Sequence, residues 1–119
     1  MVKFKLILTF LFGGIMIPAG LMHFINPEMY NLFIPDFLPK DLVNYVTGMI
    51  EIAAGVGAII PRYRSMGTLG ILLLMLAFLP LHLIDVFKEN PAIGSHQAAL
   101  IRLPIQFILI LWAWFIHKK

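Results

Sequence analysis

The sequence predicts an all-α fold, a transmembrane four-helix bundle with both termini cytoplasmic, on three observations. The chain is 61% hydrophobic and 13% charged, where a soluble domain carries about 45–50% apolar and about 25% charged residues. Its apolar residues gather in four long runs, each near the ~20 residues that cross ~30 Å of hydrocarbon. Its basic residues collect at one set of run ends, as membrane topology requires. At 119 residues the chain forms one integral membrane domain, 1–119.

Hydropathy places the first span at about 4–25. Lys3 and Lys5 precede it as in a secretory leader, and Pro18-Ala19-Gly20 is a weak cleavage signal. The apolar run continues past that point to Phe24 and Ile25, so it reads as a span. The following segment, NPEMYNLFIPDFLPK, is rich in proline yet apolar. Tyr30, Phe33, Ile34, Phe37 and Leu38 do not suit a solvated loop. The segment lies in the outer interface or folds over the bundle mouth.

The second span covers about 42–60, with Asp41 placed to cap it and Pro61 to end it. The third covers about 66–87 and the fourth about 98–116, with Ser65 and Ser95 as their expected caps. Pro18, Pro80 and Pro104 fall inside spans, where each removes a backbone donor; membrane helices tolerate this when neighbours satisfy the freed carbonyls. Trp112, Trp114 and Phe115 read as an aromatic belt at the inner interface.

Orientation follows from the basic residues. Lys3, Lys5, Arg62, Arg64, Lys118 and Lys119 fall on one side with no acidic residue, while Lys40 and Lys88 share the other with Glu28, Asp36, Asp41, Asp85 and Glu89. The basic side is expected in the cytoplasm of a cell with the chain in its inner membrane. This arrangement is not a nucleic-acid patch, because the charges cap apolar runs. Cysteine is absent, which removes thiolate nucleophiles, disulfide exchange and Cys-ligated metal centres. There is no phosphate-binding glycine loop, no Ser/His/Asp arrangement and no HExxH.

Glu51 sits in the middle of the second span. A carboxylate near the bilayer centre costs about 2.5–3.5 kcal/mol on insertion scales, so it needs a partner, a proton or water. Candidate partners in the other runs are His23, His82, Asp85, Arg102 and Gln106. At 1.5 Å per residue these residues fall in the outer half of the bilayer or at its centre. Asn44, Gly48, Glu51, Gly55 and Ala58 share one seam, and Gly13, Met16, Gly20 and His23 another. The expectation is an apolar inner plug beneath a polar pocket in the outer half, with Glu51 and Arg102 as its ion pair. The ligand-binding set is His23, Tyr30, Glu51, His82, Arg102 and Gln106, with Glu51 as proton handler. His23 and His82 could hold a haem or a metal, but interfacial hydrogen bonding accounts for two histidines without ligand spacing, so no metal is expected.

The run His23-Phe24-x-x-Pro27-x-x-Tyr30-x-x-x-Ile34-Pro35-x-x-Leu38-Pro39 resembles the DoxX-like family of small four-span membrane proteins. So do Gly48-x-x-Glu51-x-x-Gly55 before Pro61-Arg62, Phe78-Leu79-Pro80, and Arg102-Leu103-Pro104-x-Gln106. The resemblance covers nearly the whole chain in order. It departs at His82, where the family pattern has asparagine. It implies a redox-associated membrane subunit, auxiliary rather than catalytic, working with quinones and a redox partner protein. The family's fold also looks like that of the vitamin K epoxide reductase type, whose cysteine chemistry this chain lacks. On this expectation a lipophilic, quinone-like molecule binds in the outer pocket. The alternatives are a small-molecule transporter or exporter acting as a homo-oligomer, and a non-catalytic assembly or structural subunit. All three place the chain in the lipid bilayer, without nucleic acid.

Overall fold

The computed structural model describes residues 2–118. Four long helices, α1 (Val2–Ile25), α3 (Lys40–Ile59), α4 (Arg64–Val86) and α5 (His96–His117), are joined by a one-turn helix α2 (Glu28–Asn31) and a 3-10 turn at Pro61–Tyr63. All four are long and apolar enough to cross a membrane. Their ends lie within two residues of the spans read from hydropathy, and no strand occurs among the described residues.

The caps differ from expectation at two of three sites. Ser95 accepts the Ala98 N–H at 3.1 Å and starts α5. Helix α3 instead begins at Lys40 behind an extended Pro39, which puts Asp41 inside its first turn with no capping bond. Ser65 likewise lies inside α4. The turn between these helices is held by Arg64, whose Nε and Nη2 donate to the carbonyls of Ala58 and Ile59 at 2.9 and 2.8 Å. Those carbonyls belong to the last turn of α3, where no intrahelical donor remains. Arg64 is therefore a helix stitch as well as a charge at a span end.

Helix α1 packs on α3, α3 on α4 and α4 on α5, while α5 returns to α1 over a smaller contact. The α1–α3 seam is the one read from the sequence: Gly13, Met16, Gly20 and His23 are buried on one side, and Asn44, Gly48, Glu51, Gly55 and Ala58 on the other. Its glycines bring backbone onto backbone. A Cβ on Gly48 would lie 2.8 Å from the Gly20 carbonyl oxygen, and one on Gly13 would lie 2.8 Å from that of Gly55. Helices without a hydrophobic driving force between them gain dispersion contact by such close approach. Helix α4 meets α3 the same way at Gly67, where a Cβ would overlap the Ala58 nitrogen.

The packed interior holds Phe12, Met16, Ile71, Met75, Ala113 and Ile116. It lies from mid-depth toward the chain termini. Both termini sit at this end, with the Lys5 ammonium donating to the Lys118 carbonyl and the Phe4 and Phe115 rings 6.5 Å apart. Trp112 departs from the expected belt. Its indole N–H donates to the Leu8 carbonyl at 3.2 Å, and its ring leans on Phe12 at 4.6 Å. Trp114, two residues on, faces outward. Two residues along a helix is a turn of about 200° around its axis, so the pair divides between interior and surface.

Gly67→Ala is expected to destabilise the protein by about 1–3 kcal/mol through overpacking, whereas Gly14→Ala, with open space at its Cβ, leaves stability unchanged or slightly raised. Chemical denaturation in detergent, followed by circular dichroism, reads both.

Candidate functional site

His23 ends the α1 seam, and Glu51 and Asn44 share the α3 seam seven residues apart. The glycine contact sets them against one another. His23 Nε2 lies 2.6 Å from Glu51 Oε2, and Nδ1 lies 2.8 Å from Asn44 Oδ1. All three residues are buried. Asn44 Nδ2 donates onward to Asn31 Oδ1 on α2 at 2.8 Å. With the amide so oriented, Oδ1 can only accept, and His23 carries a proton on Nδ1. Nε2 then either accepts from a neutral Glu51 carboxyl or donates to its carboxylate. One proton is shared between the two groups, and the pair is neutral in both arrangements.

Tyr30 stacks on His23 with ring centroids 3.8 Å apart and 14° between planes. Its hydroxyl donates to the Ala19 carbonyl at 3.3 Å. Burial, aided by the Glu51 carboxylate, pushes the Tyr30 phenol above its ordinary 10.0.

His23, Tyr30 and Glu51 form one wall of a cavity of about 600 Å³, within the usual size for a small-molecule site. Phe12, Met16, Met75 and Leu109 form its floor. Arg102 of α5 and His82 of α4 line it as well, with the His82 ring edge-on to Phe33 at 5.3 Å. The apolar segment after α1 folds over the mouth through Met29, Leu32, Phe33 and Ile34. Lys40 holds this cover by donating to the Asn31 and Ile34 carbonyls at 3.0 and 2.8 Å, and Lys88 by donating to that of Leu32 at 2.9 Å.

Three expectations need correction. The ion pair of Glu51 is with His23; Arg102 is not its partner among the described residues. Arg102 sits on α5, which packs on α4 and α1, whereas the glycine seam places α1 against α3. Gln106 does not line the cavity. It is fully buried, with Nε2 donating to the Met75 carbonyl at 2.6 Å and Oε1 accepting from Arg102 Nη2 at 2.9 Å. Its role is to tie α5 to α4 and to aim Arg102. Asp85 also turns elsewhere, accepting the N–H groups of Ala92 and Ile93 at 2.6 and 3.2 Å and so pinning the α4–α5 loop.

Arg102 Nη1 is buried and has no hydrogen-bond partner among the described residues. A haem or metal on His23 would have to displace Asn44 or Glu51, since both ring nitrogens are engaged. No group of three His, Asp or Glu residues is disposed to hold a metal among the described residues. The residues missed as site members are Asn44 and Asn31. Asn44 was legible in principle, being the other polar residue on the Glu51 seam. Asn31 reaches it only through the fold of α2.

The profile of a family described as a domain of unknown function (DUF8561) matches residues 12–117. No curated protein and no solved structure matches the chain.

Asn44→Ala should cost about 1–3 kcal/mol, since it strands the His23 N–H in a buried place; denaturant titration in detergent measures it. Tyr30 offers a pH test. Its folded pKa is raised, so its stabilisation is present below 10.0 and is lost as pH climbs through the folded value. Absorbance at 295 nm should show a late-titrating phenol in the native chain that Tyr30→Phe removes.

Proposed function

The chain belongs to the DUF8561 family of domains of unknown function, and from its site we propose a multi-pass inner-membrane protein that binds a lipophilic, quinone-like molecule as the auxiliary subunit of a membrane redox system. The observation carrying this reading is the cavity itself: an apolar chamber whose few polar groups are a proton-sharing His23–Glu51 pair and an Arg102 with a buried donor to offer. The sequence resemblance to DoxX-like proteins supports the same reading.

The proposal includes a topology. Lys3, Lys5, Arg62, Arg64 and Lys118 belong to the end that holds the termini, and the positive-inside rule puts that end in the cytoplasm. The cavity then opens in the extracytoplasmic half.

A bound quinone would supply two-electron, two-proton carbonyl chemistry, with electrons from a partner protein. The chain's own residues have three tasks. Arg102 Nη1 donates to a carbonyl oxygen, held in aim by Gln106. Glu51 and His23 hold the shared proton and can release or take it, while Asn44 keeps the imidazole in one tautomer. The apolar cover excludes water, which strengthens each of these interactions.

A decyl-tailed benzoquinone should quench the tryptophan fluorescence of the purified protein saturably, since Trp112 packs on the cavity residue Phe12. Loss of a charged hydrogen bond in Arg102→Met should weaken binding about tenfold or more, and Glu51→Gln should weaken it less. No saturable quenching by the native chain, or equal affinity in Arg102→Met, rejects the proposal.

A further inference from the structure

Helices α1 and α5 are joined by side-chain contacts at the end that holds the termini. Among the described residues, their hydrogen bonds and ring contacts join Phe4, Lys5, Leu8 and Phe12 to Trp112, Phe115 and Lys118. The cavity begins where these contacts stop, and Phe12 belongs to both. Beyond that point Ile15 of α1 and Leu109 of α5 line the chamber. Ile15 is also 52% exposed. A lining residue so exposed, beside Phe12 and Met16 at 2% and 3%, places a rim of the chamber here. This rim lies midway along α1, at the depth of the hydrocarbon if the four helices cross a bilayer.

The mouth away from the termini is different. It is covered by the apolar segment after α1 and by Ala92 and Ile93. Lys40 and Lys88 bind that segment's carbonyls, and Asp85 binds the N–H groups of Ala92 and Ile93. Entry from water would break these bonds. Entry between α1 and α5 breaks none of them.

We infer that the cavity takes its occupant sideways from the bilayer through the α1–α5 cleft. The occupant is a single-tailed amphiphile whose carbonyl head meets Arg102 Nη1 while its tail remains in the cleft between Ile15 and Leu109. The head has a donor to satisfy at the inner end of the path, and the tail never leaves an apolar medium. This rests on the cavity being a binding site, as proposed above, and adds the route and the shape of the ligand.

The test uses the full chain in phosphatidylcholine vesicles with a decyl-tailed benzoquinone carrying a diazirine midway along its tail. After illumination, labelled residues are mapped by mass spectrometry with and without excess unlabelled quinone. Competable label on the α1 and α5 residues flanking the cleft, Ile15 and Leu109 among them, is the expected result. Ile15→Trp, a change at a half-exposed position, should lower that labelling about tenfold. Competable label on Met29, Leu32 or Ile93 instead would overturn lateral entry. So would a disulfide-linked dimer of Ile15→Cys without competable label, which in this cysteine-free chain would assign the cleft to a second copy. A tailless benzoquinone titrated in detergent separates the two proposals. If it binds in an Arg102-dependent way while the cleft stays unlabelled, the site stands and the route falls. If neither ring compound binds, both fall.

Discussion

A carboxylate buried in the middle of a helix long and apolar enough to cross a membrane must be neutralised within a few ångströms, and in this protein His23 does it at 2.6 Å from Glu51. That contact makes demands in every direction. It requires α1 and α3 to approach backbone to backbone, which Gly13, Gly20, Gly48 and Gly55 permit. It requires the second imidazole nitrogen to find an acceptor, which Asn44 supplies. Asn44 in turn fixes α2 through Asn31, so the cover of the cavity is tied to the same pair. Removing one member of a buried pair typically costs about 3–5 kcal/mol, because the survivor is left uncompensated. The seam, the tautomer and the cover are thus consequences of one requirement.

The two sides of the cavity do different work. On α1 and α3 the polar groups satisfy each other and share a proton. On α5 the guanidinium of Arg102 is half satisfied, by Gln106, and half not. A buried donor without a partner is costly in an otherwise well-paired interior. The asymmetry gives a direction to the proposed binding: a ligand acceptor has most to gain against Arg102, and a proton has most reason to move at Glu51.

Much of the site was legible in the residues, though not its pairing. The 4-3-4-3 spacing of Asn44, Gly48, Glu51, Gly55 and Ala58 placed the carboxylate on an inward seam, and the same spacing placed His23 on another. Depth, counted along the helices, put the polar groups together at one end. Choosing between His23, Arg102 and Gln106 as the partner needed the order in which helices pack around the bundle, and four spans of similar length allow several orders. Gln106 shows the difficulty. Its spacing from Arg102 correctly put the two on one face, yet that face turns toward the Met75 carbonyl rather than the chamber. Trp112 and Trp114 show it again, since a belt and an interior contact carry the same composition at a helix end.

The sequence by itself determined the four long helices, their lengths and the buried seams of α1 and α3. These follow from hydrocarbon thickness and from the 3.6-residue period, both of which act on one segment at a time. Tertiary structure alone decided that His23 rather than Arg102 neutralises Glu51, that Lys88 reaches the cover at Leu32, and that the bonds and ring contacts joining α1 to α5 stop at Phe12. Each is a relation between segments far apart in the chain. Such relations are set by which small residues let which backbones touch, and no periodicity within a single helix encodes them.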